Sequence, residues 1–282
     1  MAKKKGKELP TVGVVGSGSF ATAIVKMLLE NAKLVHWCVR NEFVKGALEL
    51  RGHNPNYLTA VAFDVKKLKI TTDINELVSE CDIVVLATPS IYLADAIEKM
   101  TCDYEGKLFV SAIKGIVPKH NDVVAHYLRD VFKIGFRSQA VIAGPCHAEE
   151  VAMERLSYLT IAAAEKEHID ALRELFTSDY IKVSCSKDIL GNEYSAMLKN
   201  IYAIAAGIAH GLGYGDNFQA VLMSNGIREM KKFIRKVHKM KRNINNSAYL
   251  GDLLVTGYSV FSRNRMFGNM IGKGYTVKSA QM

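Results

Sequence analysis

The chain has 282 residues, 49% of them hydrophobic, and a formal net charge of +9 at pH 7. This length can form one large domain or two ordinary ones around a substantial core. Five scattered cysteines without a C-x-x-C pair predict reduced thiols, a cytoplasmic protein and no metal site.

Neither the start of the chain nor its longest apolar segment is typical of an exported or membrane protein. The basic start, residues 1–7, runs into Glu-Leu-Pro without the apolar core of a signal peptide, so we expect no export. The longest apolar segment, 194–215, contains Lys199, Asn200 and His210, which argues against a membrane span.

The net positive charge suits either of two kinds of ligand, phosphorylated small molecules or nucleic acid. Much of it lies in the basic segment 231–242, where Phe233, Ile234 and Val237 keep helical spacing. This pattern is typical of a solvated face on an amphipathic helix.

Short apolar runs alternate with helix-length segments through the first two thirds of the chain. The alternation predicts an α/β fold with a Rossmann-like, mainly parallel sheet covered on both faces. The predicted strands are Val12–Val15, 34–39, 69–71, 83–88, 108–112, 140–143, 158–163 and 181–185.

The strand signal stops near Lys187, and the rest of the chain is predicted to be helical. We expect helices in 194–215 and 217–239, followed by an Asn-rich loop and shorter pieces, and one earlier helix, 166–176, between the last two predicted strands. The predicted division is a dinucleotide-binding Rossmann domain at 1–186 and an all-α substrate domain at 187–282, packed closely together.

A glycine-rich turn follows the first predicted strand and precedes a helical pattern. Its sequence fits Gly16-x-Gly18-x-x-Ala21, the dinucleotide fingerprint in its alanine form. Gly16 allows the tight turn, Gly18 admits the pyrophosphate and Ala21 permits close helix packing. A glycine turn without a ligand is the alternative.

The second predicted strand ends in Arg40 and Asn41, where an acidic residue usually holds the ribose hydroxyl of NAD. Arginine at this position accommodates a 2′-phosphate, so NADP or NAD is the predicted cofactor, with NADP(H) bound at least as well as NAD(H). An ordinary surface charge at the strand end is the alternative interpretation of Arg40.

Lys199 is the only Asp, Glu, Lys or Arg in the apolar segment 194–215. A helix apolar on all sides is packed on several sides, so this lysine is predicted to be buried, with a lowered pKa suited to proton transfer. The alternative is a lysine that reaches the surface or pairs with Glu193 or Asp216.

Three further clusters follow predicted strands or suit anion binding. Lys114 comes after the strand at 108–112, and the segment 143–150 contains Cys146 beside His147. Thiol catalysis by that pair is disfavoured, because adjacent residues rarely face each other for proton transfer. In Ser262-Arg263-Asn264-Arg265, two arginines suit capture of a phosphate, although a surface loop is the alternative.

These pieces resemble the soluble, bacterial-type NAD(P)-dependent glycerol-3-phosphate dehydrogenases. The resemblance implies reversible reduction of dihydroxyacetone phosphate to sn-glycerol 3-phosphate, which supplies phospholipid synthesis, and we expect a homodimer. The matching blocks are GSGSFATA at 16–23, SAIKG at 111–115, AGPCHAEEVA at 143–152, LKNIYAIAAG at 198–207, GLGYGDN at 211–217, GDLLVT at 251–256 and SRNR at 262–265.

Carried over by position, the resemblance makes Lys199 the catalytic proton donor and acceptor. It implies cofactor contacts for Gly16, Gly18, Ser19, Phe20, Ala21, Arg40, Lys114, Ala148 and Arg263. It implies a substrate shell of Lys114, Gly144, Cys146, Lys199, Asp252, Thr256, Ser262, Arg263 and Asn264.

Two features depart from the family pattern. Cys146 replaces a serine or threonine, so a hydroxyl hydrogen bond becomes a weaker thiol one. The family also continues beyond a Gly-Lys-Gly like that at 272–274, with helices that contact the cofactor and cover the site. On this basis we expect a C-terminally short form.

Two competing functions remain open from the sequence. Another two-domain reductase, of the ketopantoate or 3-hydroxyacid type, also pairs a helix lysine with an asparagine, but the cluster at 262–265 favours a phosphorylated substrate. A non-catalytic dinucleotide or nucleic-acid binder would use the basic segment 231–242 and bind in a salt-sensitive way. Our preferred prediction has no nucleic-acid partner.

Overall fold

The computed structural model describes residues 9–281. The basic start at 1–7, on which the export prediction depends, lies outside this range. Within the described residues, no helix is long and apolar enough to cross a membrane.

Within residues 9–281, eight strands form one sheet, as the apolar runs predict, and two short strands form a separate hairpin. The central strands β1 and β4 are buried along their whole length because helices cover both faces. The strands are β1 (Val12–Val15), β2 (Val35–Cys38), β3 (Leu68–Thr71), β4 (Ile83–Leu86), β5 (Leu108–Ser111), β6 (Ile116–Val117), β7 (Asp122–Val123), β8 (Gln139–Ala143), β9 (Ser157–Ala163) and β10 (Ile181–Ser186).

The sheet order is β10-β9-β8-β5-β4-β1-β2-β3. Every neighbouring pair is parallel except β8 and β9, which run antiparallel with Ile142 opposite Ile161. The predicted mainly parallel sheet is therefore confirmed. The small β6–β7 hairpin was not predicted, since two-residue strands leave no periodic signal.

Helices cover the sheet and form the last third of the described chain. They are α1 (Ser19–Leu28), α2 (Glu42–Arg51), α3 (Ile74–Glu80), α4 (Leu93–Ile97), α5 (Val124–Phe132), α6 (Ala148–Ala152), α7 (Lys166–Phe176), α8 (Ile189–Gly211), α9 (Asp216–Val237), α10 (Asp252–Tyr258), α11 (Arg263–Gly272) and α12 (Val277–Ala280). Short 3₁₀ turns occupy Val65–Lys67, Ser90–Tyr92 and Phe136–Ser138, and a π-helical turn spans Ser247–Gly251.

The helical part shares a core with the sheet. Val141 and Ala162 from the sheet belong to one buried cluster with Tyr194 of α8, Met230 of α9 and Leu253 of α10. The strands end at 186 and α8 begins at 189, so we retain the predicted boundary between 186 and 187 as a proposal. Because the core crosses it, the two parts pack as one body.

Helices α8 and α11 approach each other backbone to backbone. Gly207 and Gly211 lie four residues apart on α8, and Gly268 and Gly272 have the same spacing on α11, so each pair lies on one helix face. A Cβ at Gly207 would overlap the carbonyl oxygen of Arg265, and one at Gly268 would overlap that of Ile204. Only glycine permits this contact, which fixes the start of α11 relative to α8.

The basic segment 231–242 is mainly the solvated helix face that its spacing predicts. Lys231, Lys232 and Arg235 are exposed on α9, but of the three apolar residues only Ile234 is buried, while Phe233 and Val237 are exposed. Arg242 differs, because its guanidinium bonds the carboxylate of Asp188 at 2.6 and 3.1 Å in the interior. Asp188 caps the start of α8, so this cation helps hold the helix in place.

Candidate active site

A cleft of about 590 Å³ opens where the carboxyl ends of the strands meet the helical part. Ligands bind at this edge in open α/β sheets. Twelve of the predicted site residues line it: Gly18, Ser19, Phe20, Lys114, Cys146, Ala148, Lys199, Asp252, Thr256, Ser262, Arg263 and Asn264.

Lys199 lies on α8 at the floor of the cleft and is 5% exposed, so its predicted burial is confirmed. Its Nζ donates to Oδ1 of Asp252 at 2.5 Å. Neither Glu193 nor Asp216, the alternative partners, contacts it: Glu193 bonds the N–H of Ala125, and Asp216 is exposed.

Burial lowers the pKa of the Lys199 ammonium from 10.5 to about 7. The negative charge of Asp252 opposes this shift, and the nearby positive charge of Lys114 adds to it. A lysine with this pKa exchanges a proton readily near neutral pH, as a general acid or base requires.

Asp252 holds a second cation near Lys199. Its Oδ2 lies 3.7 Å from Nζ of Lys114, too far for a hydrogen bond, and has no hydrogen-bond partner among the described residues. Lys114 Nζ also bonds the carbonyl of Gly144 at 3.3 Å and lies 5.4 Å from the ring centre of Phe20. Lys114 therefore lies between Phe20, which is next to the glycine turn, and Asp252.

Asp252 begins α10 directly after the π-helical turn Ser247–Gly251. Single π turns inside helical segments are frequent at functional sites. Thr256 follows one turn later and its Oγ1 donates to the carbonyl of Asp252 at 2.6 Å, so the two residues lie on one helix face.

The cluster at 262–265 forms the start of α11, beside the cleft. Ser262 is its N-cap, with Oγ accepting from the N–H of Arg265 at 3.3 Å. The exposed Arg263 and the half-buried Asn264 face the cleft. Free N–H groups, the positive end of the helix dipole and a guanidinium together suit an anionic phosphate.

The glycine turn forms the start of α1, on the sheet side. Gly16 has φ +123, and a Cβ there would lie 2.7 Å from the carbonyl oxygen of Ala87. Nothing lies within 4 Å of the position that a Cβ of Gly18 would take. This open space beside a helix N-terminus without acidic side chains fits a dinucleotide pyrophosphate.

A second cleft of about 370 Å³ adjoins the first and shares Gly18 and Tyr57 with it. Gly16 and Arg40 lie in this second cleft, as does Asp73. The two clefts together form an elongated site that suits the two halves of a dinucleotide.

Two predicted site residues line neither cleft. Ala21 is fully buried in α1, where its small size serves packing. Gly144 is also buried, and its contribution is the carbonyl that Lys114 bonds. Cys146 does line the cleft, but burial raises the pKa of its thiol to about 12, so it is neutral and unsuited to nucleophilic catalysis.

The cleft residues that were not among the predicted site residues include His147, Asn200 and Tyr57. His147 packs against the ring of Phe261, and its buried Nε2 has no hydrogen-bond partner within residues 9–281. Asn200 bonds the carbonyl of Lys114 at 2.9 Å, and Tyr57 lies where the clefts meet. His147 and Asn200 are sequence neighbours of predicted residues, whereas no pattern indicates Tyr57.

Glu193, one and a half turns before Lys199, is a fully buried carboxyl. Its Oε2 accepts the N–H of Ala125 at 2.8 Å, while Oε1 has no partner among the described residues. Burial raises the pKa of Glu193 from 4.5 to about 7, against the opposing effect of the Ala125 hydrogen bond.

We expect Glu193→Gln to stabilise the protein increasingly as pH rises. Because the pKa is higher in the folded state than in the unfolded state, the wild type loses stability as pH rises from about 4.5 to above about 7. The loss is on the order of 3 kcal/mol at most. Urea unfolding of both proteins at acidic and alkaline pH measures the difference.

The exposed Glu105→Gln is the matched control and should leave the pH dependence unchanged. Equal pH dependence in the wild type and Glu193→Gln would contradict the raised pKa.

This fold and site define a class: a two-domain dehydrogenase that binds a nicotinamide dinucleotide at a glycine turn beside a helical substrate domain. The family profiles agree with both parts. Residues 11–169 match the NAD-dependent glycerol-3-phosphate dehydrogenase N-terminus, and residues 188–282 match the corresponding C-terminus. The chain belongs to the NAD(P)-dependent glycerol-3-phosphate dehydrogenase family.

Individual relatives cover nearly the whole chain. Glycerol-3-phosphate dehydrogenase [NAD(P)+] of Exiguobacterium is 34% identical over 94% of this chain and 78% of its own. That of Bacillus subtilis is 33% identical over 95% of this chain and 78% of its own. The crystal structure of the Coxiella burnetii glycerol-3-phosphate dehydrogenase superposes with a TM-score of 0.88 at 26% identity, covering 98% of this chain and 84% of that one.

These findings confirm the predicted family, fold class and cofactor class, NAD or NADP. They decide against the ketopantoate and 3-hydroxyacid reductases as the family of this chain. The roles assigned to individual site residues remain proposals, and their geometry is the argument for them.

Proposed function

We propose that the chain catalyses reversible hydride transfer between NAD(P)H and dihydroxyacetone phosphate, giving sn-glycerol 3-phosphate for glycerophospholipid synthesis. The observation that carries this proposal is the buried Lys199–Asp252 pair. It lies in one cleft with the glycine turn and with Arg263 at the start of α11. A proton donor, a dinucleotide loop and a phosphate-binding group thus surround the same space.

A bound reduced nicotinamide supplies the hydride that adds to the ketone carbon. As the carbon–oxygen π electrons move to oxygen, the Lys199 ammonium donates a proton to that oxygen and becomes a neutral amine. The nearby charge of Lys114 further stabilises the developing negative charge. The alcohol and oxidised dinucleotide result, and the reverse reaction uses neutral Lys199 as the base.

Asp252 orients the proton donor through its 2.5 Å contact with Lys199 Nζ. Arg263 and Asn264 hold the substrate phosphate at the start of α11, so that remote binding orients the reacting carbon. Ser262 keeps this wall in place as the helix N-cap, and Thr256 bonds the backbone of Asp252.

The glycine turn and its surroundings hold the dinucleotide. The N-terminus of α1, with Ser19 and Phe20, faces the cleft that also contains Lys114 and Ala148. Arg40 lies in the second cleft, and its guanidinium would contact the ribose phosphate of NADP.

An assay of NADPH and NADH oxidation with dihydroxyacetone phosphate tests the function. We expect turnover with both, and binding of NADPH at least as tight as that of NADH because Arg40 replaces the usual acidic residue. The binding constants come from parallel calorimetric titrations. Oxidation of neither cofactor would contradict the function, and strong preference for NADH would contradict the role of Arg40.

A cytoplasmic location and a homodimer stay predictions. The five cysteines, all of which are free, support a reducing compartment. Sedimentation of the purified chain measures the assembly directly.

A further inference from the structure

Two buried side chains donate hydrogen bonds to the carbonyl oxygens of the glycine turn from the protein interior. Trp37 on β2, the only tryptophan of the chain, donates from Nε1 to the carbonyl of Gly16 at 2.7 Å. Asn54 donates from Nδ2 to the carbonyl of Ser17 at 3.0 Å. Both side chains are 0% exposed.

Asn54 uses its whole amide group. Nδ2 also donates to Oγ1 of Thr22 on α1 at 2.8 Å, while Oδ1 accepts the N–H groups of Asn56 and Tyr57 at 3.0 and 3.2 Å. One buried side chain therefore ties the glycine turn, the first helix and the loop 52–63 together.

That loop is closed at its base and packed onto the tryptophan. The N–H of Phe63 bonds the carbonyl of Gly52 at 2.8 Å, and the ring of Phe63 meets that of Trp37 edge-on at 5.4 Å. The two side chains that hold the glycine turn are thus held by the same loop.

Because the peptide group is planar, fixing a carbonyl oxygen also fixes the direction of the following N–H group. In a trans peptide the carbonyl of one residue and the N–H of the next point in opposite directions. Holding the carbonyls of Gly16 and Ser17 inward therefore aims the N–H groups of Ser17 and Gly18 away from Trp37 and Asn54. Among the described residues, no acceptor bonds either N–H group.

We propose that Trp37 and Asn54 are positioning residues that preorganise the glycine turn for a dinucleotide diphosphate by fixing the orientation of two successive peptide groups. Consecutive backbone N–H groups held in one direction form an anion-binding concavity. This inference rests on the proposed dinucleotide binding and adds the side chains that set its backbone geometry.

The test compares ligands that contain the diphosphate with one that lacks it. Trp37→Phe retains an aromatic ring but deletes the N–H donor, and Asn54→Asp retains an acceptor oxygen but deletes the amide donors. We expect each variant to bind NADPH and ADP-ribose roughly tenfold more weakly than the wild type. Affinity for adenosine, measured by competition with NADPH, should remain within about twofold.

Tyr180→Phe is the matched control. It deletes the 2.8 Å hydrogen bond from the Tyr180 hydroxyl to Glu30, at the far end of α1, and does not touch the glycine turn. We expect it to change stability without changing affinity for any of the three ligands.

Calorimetry provides the affinities, and thermal unfolding in the absence of ligand checks that each variant folds. Unchanged binding of ADP-ribose by a folded Trp37→Phe protein would overturn the inference, as would an equal loss for adenosine. A wild-type protein that binds no dinucleotide would instead contradict the proposed function, so the two failures are distinguishable. If Asn54→Asp does not fold, Trp37→Phe alone decides.

Discussion

Replacing Lys199 with alanine is expected to lower kcat for reduction of dihydroxyacetone phosphate about 10³-fold, within the range of a lost general acid. The reason is that Lys199 Nζ, which is buried in the cleft with a pKa lowered to about 7, is the proposed proton donor. Affinity for NADPH, measured by calorimetry without substrate, should change little, because Lys199 is not among the proposed dinucleotide contacts. Steady-state assays at saturating cofactor measure kcat.

Lys119→Ala serves as a control, since Lys119 is an exposed lysine paired with Glu98. Near-normal turnover of Lys199→Ala would refute the mechanism. Loss of NADPH binding together with turnover would show a structural role for Lys199 instead.

The pH dependence of the wild type gives an independent measure of the same group. Ketone reduction needs the ammonium form of Lys199, so kcat for reduction should fall as pH rises through about 7. Alcohol oxidation needs the neutral amine and should fall as pH drops through the same value.

Asp252→Asn should move the midpoint to lower pH, because the charge of Asp252 raises the pKa of Lys199.

Arg263→Ala is expected to raise the KM for dihydroxyacetone phosphate by about 10- to 100-fold, the equivalent of ~1.5–3 kcal/mol for charge-assisted hydrogen bonds. Arg263 is exposed in the cleft at the start of α11 and has no ion-pair partner among the described residues. Activity with unphosphorylated dihydroxyacetone should change little. The two substrates therefore separate phosphate binding from catalysis.

Arg263→Lys should have an intermediate KM, because lysine keeps the charge and loses the planar fork of donors. Arg173→Ala is the control on the exposed side of α7, where Arg173 pairs with Asp170. An unchanged KM in Arg263→Ala would exclude a role for this arginine in phosphate binding. An equal loss for both substrates would place its role outside phosphate recognition.

Local periodicity explains why the sheet was predictable from the chain. Each buried parallel strand is a short apolar run, and the eight predicted runs correspond to the eight strands of the main sheet within a few residues. The glycine turn was recognisable for the same reason, since strand, turn and helix are contiguous. The π-helical turn before Asp252 left no such signal because it depends on packing.

The partner of Lys199 shows where local information ends. The local pattern offered Glu193 and Asp216 as nearby carboxylates, whereas the partner is Asp252, 53 residues away, which only the family resemblance had indicated as a contact of the lysine or of a substrate hydroxyl. Glu193 is turned toward Ala125 at the start of α5, away from the lysine. The choice among carboxylates is made by the packing of α10 against α8, which no short pattern encodes.

By itself, the sequence determined the α/β order, the dinucleotide turn and the burial of Lys199, because each follows from residue spacing within one element or between neighbours. Only the tertiary structure decided which groups meet. The glycine contacts between α8 and α11 bring Arg263 and Lys199 to the same cleft, and Trp37 and Asn54 donate hydrogen bonds to the carbonyl groups of the turn. These contacts join residues distant in the chain, and close packing selects them only when the whole core forms.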